Sequence, residues 1–554
     1  MLFRDADADA ERGVKAGHPC LLLIWRAELR AQCCQQLWLN LDEILWLQVN
    51  IAACWRGQPV KMAQRFPHVR TVAIVGAGAG GLTAAKYLLA EKCFDKIDIF
   101  EQRNRVGGVW NYSPASDKAR LSIPIPQENA NLPVEEPIWH SQGSYDGPET
   151  SEQIATFVSP LYNRLETNIP HTLMHYSDLP FAKDTQLFPK FETVFHYLEE
   201  YSQAVKHLIQ FQIQVVDVRL EDRLAGTWAV TRKDLRSGVS RTDIYDAVVV
   251  ANGHYNVPYV PSIPGISAWH NSYPGIISHS KSYCSSEAFR NKKVIVVGNS
   301  ASGIDIGAQI SRVCRAPLLS SSRSESYFTS KATDDRTEYP PIEEFLPPGR
   351  HNRAVRFANG VIEESVDAIV FCTGYLYSFP FLSTLDPPVV EDGSRALRVY
   401  QHMFYIEHPT LVFPVLNQKV IPFPVAEAQS AVFARVLSGR LALPAKEDMY
   451  EWERSNVAAK GAGKSFHVLA YPLDAEYLNF LHDWAASAET RPSLTRNGQG
   501  KEGPCWGEKE KWLRSRFTQI KQAFAARGEE RHSCCVPEDL GFDFEGWKRE
   551  QWTG

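Results

Sequence analysis

Six residues, Gly76-Ala77-Gly78-Ala79-Gly80-Gly81, fit the spacing G-x-G-x-x-G. That spacing suits one task, cradling a pyrophosphate. The first glycine permits a tight turn, the second lets the backbone approach the phosphates, and the third lets the next helix pack on the preceding strand. The helix then offers its unbonded N–H groups and the positive end of its dipole to the anion. Ordinary glycine-rich turns can match the pattern, so context decides. The apolar run Thr71-Val72-Ala73-Ile74-Val75 precedes it, and a helix-forming stretch over 82–90 follows. A second apolar run, Ile97-Asp98-Ile99-Phe100, ends at Glu101, 20 residues beyond Gly81. A carboxylate at that place accepts hydrogen bonds from ribose hydroxyls.

A second unit opens on Lys293-Val294-Ile295-Val296-Val297 and turns at Gly298-Asn299-Ser300-Ala301-Ser302-Gly303. Ser300 replaces the middle glycine and is small enough to permit a close approach. Gly298, Ser300, Ser302 and Gly303 are the expected cradle residues, with Asp305 just beyond them. Arg323 stands 20 residues after Gly303, the place that Glu101 takes in the first unit. A carboxylate there repels a 2′-phosphate and a guanidinium binds one. The competing reading of Arg323 is a solvated surface arginine. The pair predicts two different dinucleotides, FAD in the first cradle and NADPH in the second. Gly298-x-Ser300 also begins like the hydrolase elbow G-x-S-x-G, but the fifth position is Ser302. The hydrolase is the weaker account.

These residues need elements to position them. From Thr71 onward strand and helix signals alternate, which predicts an α/β protein with mostly parallel sheet. The short apolar strands Ala247-Val248-Val249-Val250 and Ala368-Ile369-Val370-Phe371 run into glycine turns at Asn252-Gly253 and Thr373-Gly374. They bracket the second motif. The expectation is two Rossmann-like dinucleotide-binding domains, the NADPH domain inserted into the FAD domain. The expected limits are 62–265 and 367–490 for the two parts of the FAD domain and 266–366 for the NADPH domain. Residues 1–61 show no sustained period and are expected to be a dispensable extension or a start-codon artefact, a surface helical arm being the alternative. Residues 491–554 are expected to form a polar linker and a helical tail, whose stripe Leu513, Phe517, Ile520 and Phe524 serves packing.

Composition sets the outer bounds. At ~150 residues per domain, 554 residues suggest three or four domain-sized units or two large interleaved ones. Apolar residues make up 44%, which supports a sizeable core and excludes wholesale disorder. A net charge of −5 gives no electrostatic reason for a nucleic-acid partner. No apolar run approaches the ~18 residues of a membrane span, and Asp5, Asp7 and Asp9 occupy the basic region of a would-be secretory signal. The 11 scattered cysteines suit reduced thiols. A cytoplasmic protein without a membrane anchor is expected.

Between the cradles, Tyr273-Pro274-Gly275-Ile276-Ile277-Ser278-His279-Ser280-Lys281-Ser282-Tyr283 resembles the F-x-G-x-x-x-H-x-x-x-(F/Y) fingerprint of the flavin-containing monooxygenases. Tyr273 stands for the leading Phe. Gly107-Gly108-Val109-Trp110, Leu165-Glu166-Thr167-Asn168 and Thr373-Gly374-Tyr375 are similar to other motifs of that family, and the resemblance covers residues 71–484. The layout looks most like the fungal branch, whose members act on thiols or on nitrogen in secondary metabolism. The resemblance implies that NADPH reduces the flavin and that O2 then gives a C4a-hydroperoxide. One oxygen atom passes to a small soft nucleophile, sulfur or nitrogen. The oxidant belongs to the cofactor, so the protein positions, shields and excludes water. Asn168 is implied as the catalytic residue at the flavin and NADP⁺ face, with Thr167 sharing the NADP contact. Gly108, Val109 and Trp110 are implied as cofactor-binding, and Gln429 as a flavin-side glutamine. For Asn168 the alternative is a cap on the turn before Pro170.

Neighbouring readings are weaker. Baeyer–Villiger oxygenases share both cradles, but Cys284 follows Tyr283 where their fingerprint differs. A disulfide reductase needs C-x-x-C, and the chain has only the adjacent pairs Cys33-Cys34 and Cys534-Cys535. A non-catalytic binder has little reason to keep Glu101, Arg323 and Asn168 together. His279 is read as shaping the domain junction. His171 and His175 have zinc-ligand spacing without an evident third ligand, so no metal is expected.

Overall fold

The computed structural model describes residues 62–141, 153–222, 226–323 and 335–553. The expected N-terminal extension, 1–61, lies outside the described residues. Seven strands form the first sheet, in the order Val399–Tyr400, Phe404–Tyr405, Leu411–Val412, Ala247–Val250, Thr71–Val75, Lys96–Glu101 and Ile209–Phe211. Thr71–Val75 lies parallel to both neighbours, with Val72 opposite Ile97 on one side and Ala247 on the other. Val72, Ala73 and Ile74 are fully buried. A parallel strand covered on both faces reads as a continuous apolar run rather than an alternation.

Five parallel strands make the second sheet, in the order Ile277–His279, Ala368–Phe371, Val294–Val297, Leu318–Ser321 and Arg336–Tyr339. All of them fall in sequence between Ala247–Val250 and Val399–Tyr400 of the first sheet, so one domain is inserted into the other. The two crossing segments pair with each other, Val257–Pro258 running antiparallel to Tyr375–Leu376. One expected limit moves. Ala368–Phe371, placed at the start of the returning FAD domain by the 366/367 boundary, is a central strand of the inserted sheet. Its four residues are buried and pair on both edges, and the chain crosses only after Gly374 at φ +82°. An antiparallel meander, Ile213–Asp222, Thr227–Asp234 and Ser240–Tyr245, was not legible from the parallel pattern.

Four helices bear on the site: α1 (Ala79–Ala90), α2 (Ala301–Ser311), α3 (Pro422–Leu437) and α4 (Glu508–Ala526). Helix α3 is buried from Phe423 to Leu437 and packs against α1, as a helix apolar around most of its surface must. Helix α4 buries the stripe Leu513, Phe517, Ile520 and Phe524. The segment before it departs from the linker expectation because arginines dock it. Arg440 forms a two-pronged pair with Glu91, at 2.7 and 2.8 Å, and also donates to Gln499 O. Arg435 donates to Gln499 O and Lys501 O. Gly500 leaves room for this, since a Cβ there would lie 3.3 Å from the Arg440 guanidinium.

His279 sits at the crossing. Its Nδ1 accepts from Lys281 N–H at 3.1 Å, so its Nε2–H donates to Gly374 O at 3.0 Å. That is the junction-shaping place expected for it. Burial pushes His279 and His254 down to about 4, and holds His402 and His467 well below the ordinary histidine value.

Two predictions follow from these contacts. Replacing Arg440 by Met leaves Glu91 buried and unpaired, which is expected to cost about 3–5 kcal/mol in urea denaturation; the Glu91→Gln/Arg440→Met double variant is expected to recover part of it. His254 and His279 take up protons near pH 6.5 when unfolded but only near pH 4 when folded, and burial shifts His402 and His467 in the same direction, so stability falls as pH drops below 6.5. Each contributes up to about 1.4 kcal/mol per pH unit. Stability that stays flat between pH 6.5 and 5 would contradict their neutral burial.

Candidate active site

Two cradles of the same build stand at the carboxyl ends of the two sheets. In the first, Gly76 turns at φ +100°, where a Cβ would meet Ala251 O at 2.7 Å. A Cβ on Gly81 would lie 2.0 Å from Gly76 O, so α1 crosses its strand at a distance that only glycine allows. In the second, a Cβ on Gly298 would meet Cys372 O at 2.5 Å and one on Gly303 would meet Gly298 O at 1.9 Å. Neither α1 nor α2 has a side-chain cap or an acidic residue in its first turn, although Gly78 and Ser300 occupy the cap positions. Their first N–H groups and the positive ends of their dipoles face outward for an anion. Both cradles therefore fit a dinucleotide diphosphate. Ala79 and Gly80 lie in the first turn of α1, and Ser302 in that of α2.

The loop after the second strand closes over the first cradle. Gly107 and Gly108 both take positive φ, and a Cβ on Gly108 would lie 3.0 Å from Gly78 Cα. Gly107 N–H donates to Ala77 O at 3.0 Å, which fixes the loop there. Val109 O accepts from Ser159 Oγ at 2.6 Å, and Trp110 N–H donates to Gly107 O. Glu101 is buried at the strand end. Ala77 N–H donates to its Oε2 at 2.8 Å and Arg103 N–H to its Oε1 at 2.9 Å. Burial raises its pKa against the pull of Arg103 and these N–H groups. The carboxylate thus holds the glycine loop against the sheet, a task that the spacing alone did not reveal.

Thr167 and Asn168 lie on a segment braced from several sides. Thr167 N–H donates to Pro189 O at 2.9 Å, and its Oγ1 donates to Ile169 O at 2.8 Å. The Asn168 amide is half-buried and has no hydrogen-bond partner among the described residues, which leaves it available to a bound group. Asp305 and Gln429, also expected to bind cofactor, have protein partners. Asp305 accepts from Tyr162 Oη at 2.6 Å and from Gln309 Nε2 at 3.3 Å, with its pKa raised by burial. Gln429 accepts from Val415 N–H at 2.7 Å and donates to Asn417 Oδ1 and Tyr477 Oη at 2.9 Å each. Satisfied in this way, Gln429 braces the loop at Pro414 and Val415, which lies 3.7 Å from where a Gly80 Cβ would stand.

Arg323 is exposed at the end of Leu318–Ser321. The Lys464 ammonium, 3.7 Å from the Tyr259 ring centroid, feels its charge. Desolvation and then Arg323 bring the Lys464 pKa down to about 8. Lys464 was missed because it arrives from a segment 141 positions away in sequence. Lys521 was missed too, although it lies four residues after Phe517 and three before Phe524, on the buried stripe of α4. Its Nζ donates to Thr167 O at 2.8 Å. His171 Nε2 bonds to Cys535 O and His175 Nδ1 to Tyr176 O, so both rings of the zinc-like spacing have backbone partners.

No helix among the described residues is long and apolar enough to cross a membrane. The model of the flavin-binding monooxygenase-like family matches residues 149–343 and 350–497, and that of an NAD(P)-binding Rossmann-like domain matches 74–126. A relative from Arabidopsis thaliana, flavin-containing monooxygenase FMO GS-OX-like 4, is 34% identical over 448 residues, 77% of this chain and 90% of its own. FMO GS-OX5 from the same plant is 34% identical over 391 residues, 69% of this chain and 76% of its own. The solved structure of S-allyl-L-cysteine S-oxygenase from Allium sativum aligns with a TM-score of 0.65 at 29% identity, covering 87% of this chain and 98% of that one. Two uncapped cradles on interleaved sheets, and likeness over most of the length, place this chain in the flavin-containing monooxygenase family, as an oxidoreductase that uses FAD and NADPH.

Proposed function

We propose that the enzyme uses NADPH and O2 to transfer one oxygen atom to a soft nucleophile, sulfur or nitrogen, with sulfur the first choice. The observation that carries this reading is the Asn168 amide, which has no hydrogen-bond partner among the described residues. The likeness to a sulfur oxygenase supports the preference for sulfur.

When bound, the flavin, reduced by NADPH, supplies the oxidising chemistry with O2. The chain's own residues bind and orient. Gly76, Ala77, Gly78, Ala79, Gly80 and Gly81 would hold the FAD diphosphate at the start of α1, and Glu101, which keeps that loop in place, has lone pairs left that could accept from the ribose hydroxyls. Gly108, Val109 and Trp110 cover the same cofactor. Gly298, Ser300, Ser302 and Gly303 hold the NADPH diphosphate at the start of α2. Arg323 and Lys464 are two cations suited to the 2′-phosphate. Asn168 would donate an amide hydrogen at the reacting face, with Thr167 beside it.

Three measurements test these roles. Gly81→Ala, whose Cβ collides with Gly76 O, is expected to yield protein that does not retain flavin absorbance. Arg323→Ala is expected to raise the KM for NADPH about ten- to a hundredfold, the worth of a charge-assisted contact at ~1.5–3 kcal/mol, and to leave NADH nearly unaffected. Equal losses with both nicotinamides would remove Arg323 from the phosphate site. Asn168→Ala is expected to keep NADPH-driven flavin reduction and to release H2O2 in place of oxygenated thioether. Unchanged product yield would end its assigned role.

A further inference from the structure

The carboxyl-terminal tail reaches the segment that carries Asn168. Lys521, on α4, points its ammonium to where three elements meet. Its Nζ donates to Thr167 O at 2.8 Å and lies 3.9 Å from Glu166 Oε2. The rings of Phe188 and Phe524 flank it, with centroids 4.4 and 5.4 Å away. It also senses Asp305 on α2, the helix of the second cradle. Farther along the tail, Arg531 Nε lies 3.3 Å from Glu166 Oε1, and His532 Nδ1 bonds to Gln186 Oε1 at 2.9 Å. Cys535 O accepts from His171 Nε2, and Cys534 O from Leu187 N–H. The tail is therefore stitched to both sides of the Thr167–Asn168 step and to the neighbouring segment at Gln186 and Leu187.

The Lys521 side chain keeps 24% of its surface exposed, yet desolvation still brings its pKa down to about 8, and a methionine would fill a similar volume without desolvating a charge. The charge therefore calls for a reason beyond packing. The Asn168 amide has no protein partner among the described residues, so its direction is set by its own backbone. The plane of the Thr167–Asn168 peptide is held at one end by the Thr167 carbonyl, and Lys521 grips that carbonyl with a charge-assisted bond. We propose that Lys521 is a positioning residue that aims Asn168, making α4, which lies beyond the family match ending at 497, a working part of the site. This rests on the role given to Asn168 above.

The test compares Lys521→Met, Lys521→Arg and Asn168→Ala in the full-length, FAD-loaded enzyme. One measurement is H2O2 released per NADPH oxidised, and another is the KM for NADPH. A third, independent of turnover, is amide hydrogen exchange at Thr167 and His171, whose N–H groups are bonded to Pro189 O and Leu187 O. Lys521→Met is expected to raise the H2O2 share at least fivefold, to leave the KM for NADPH within twofold, and to speed exchange at both amides about tenfold. Lys521→Arg is expected to restore both. If the methionine variant does not fold, Lys521→Gln takes its place in the same comparison. Coupling and exchange that match the wild type would overturn the proposal, as would equal losses in the Met and Arg variants. If Asn168→Ala itself stays coupled, the role of Asn168 fails separately, and the exchange rates alone decide whether Lys521 holds the segment.

Discussion

Lysines withdrawn from water, Lys118 and Lys281 buried and Lys521 half-buried, tie separate parts of the chain together, and the rest of the structure depends on those ties. Lys118 donates to Leu161 O at 2.5 Å and to Tyr283 O at 2.7 Å, bridging the first domain to the fingerprint of the inserted one. Lys281 donates to Asn256 O at 2.8 Å, beside the crossing segment. Lys521 joins the tail to Thr167. In each case one acceptor is a main-chain carbonyl, which does not move with a rotamer, though Lys281 also donates to Asn256 Oδ1. An ion pair on the surface would be screened and mobile, whereas these bonds are sheltered, and burial brings Lys118 and Lys521 down to about 8. Two dinucleotides can work on each other only if their domains keep a set relation, and these contacts provide it.

Within each domain the limiting feature is steric. The crossing of helix over strand at Gly76 and Gly81, repeated at Gly298 and Gly303, is closer than any Cβ permits. That approach brings the first N–H groups of α1 and α2 to the ends of their sheets. Leaving those helices uncapped is costly in isolation, because orphan donors want partners. A bound diphosphate satisfies them. The same holds for Asn168, whose amide has no partner among the described residues while the Thr167 N–H and hydroxyl beside it are both engaged.

Much of this was legible in the residues. The glycine spacing, the flanking apolar runs and the matched places of Glu101 and Arg323 marked both cradles and the inserted order of the domains. The limits were harder. Ala368–Phe371 reads as a strand in sequence, but only pairing reveals which sheet owns it. Gly498, Gly500 and Gly503 read as a loose linker, yet Arg435 and Arg440 dock that segment from 60 residues away or so in sequence.

Local pattern determined the elements and the phosphate loops, because turn conformation, strand burial and helix start depend on residues within about 20 positions of one another. Tertiary structure decided what joins them. Gln429 and Asp305 became braces because their partners, Val415, Asn417, Tyr477 and Tyr162, converge from separate stretches. Lys464 comes within reach of Arg323's charge and Lys521 meets the Thr167 carbonyl for the same reason. A single charge in a sequence carries no sign of which carbonyl or carboxylate it will meet, since that is set by how sheets and helices pack after they form.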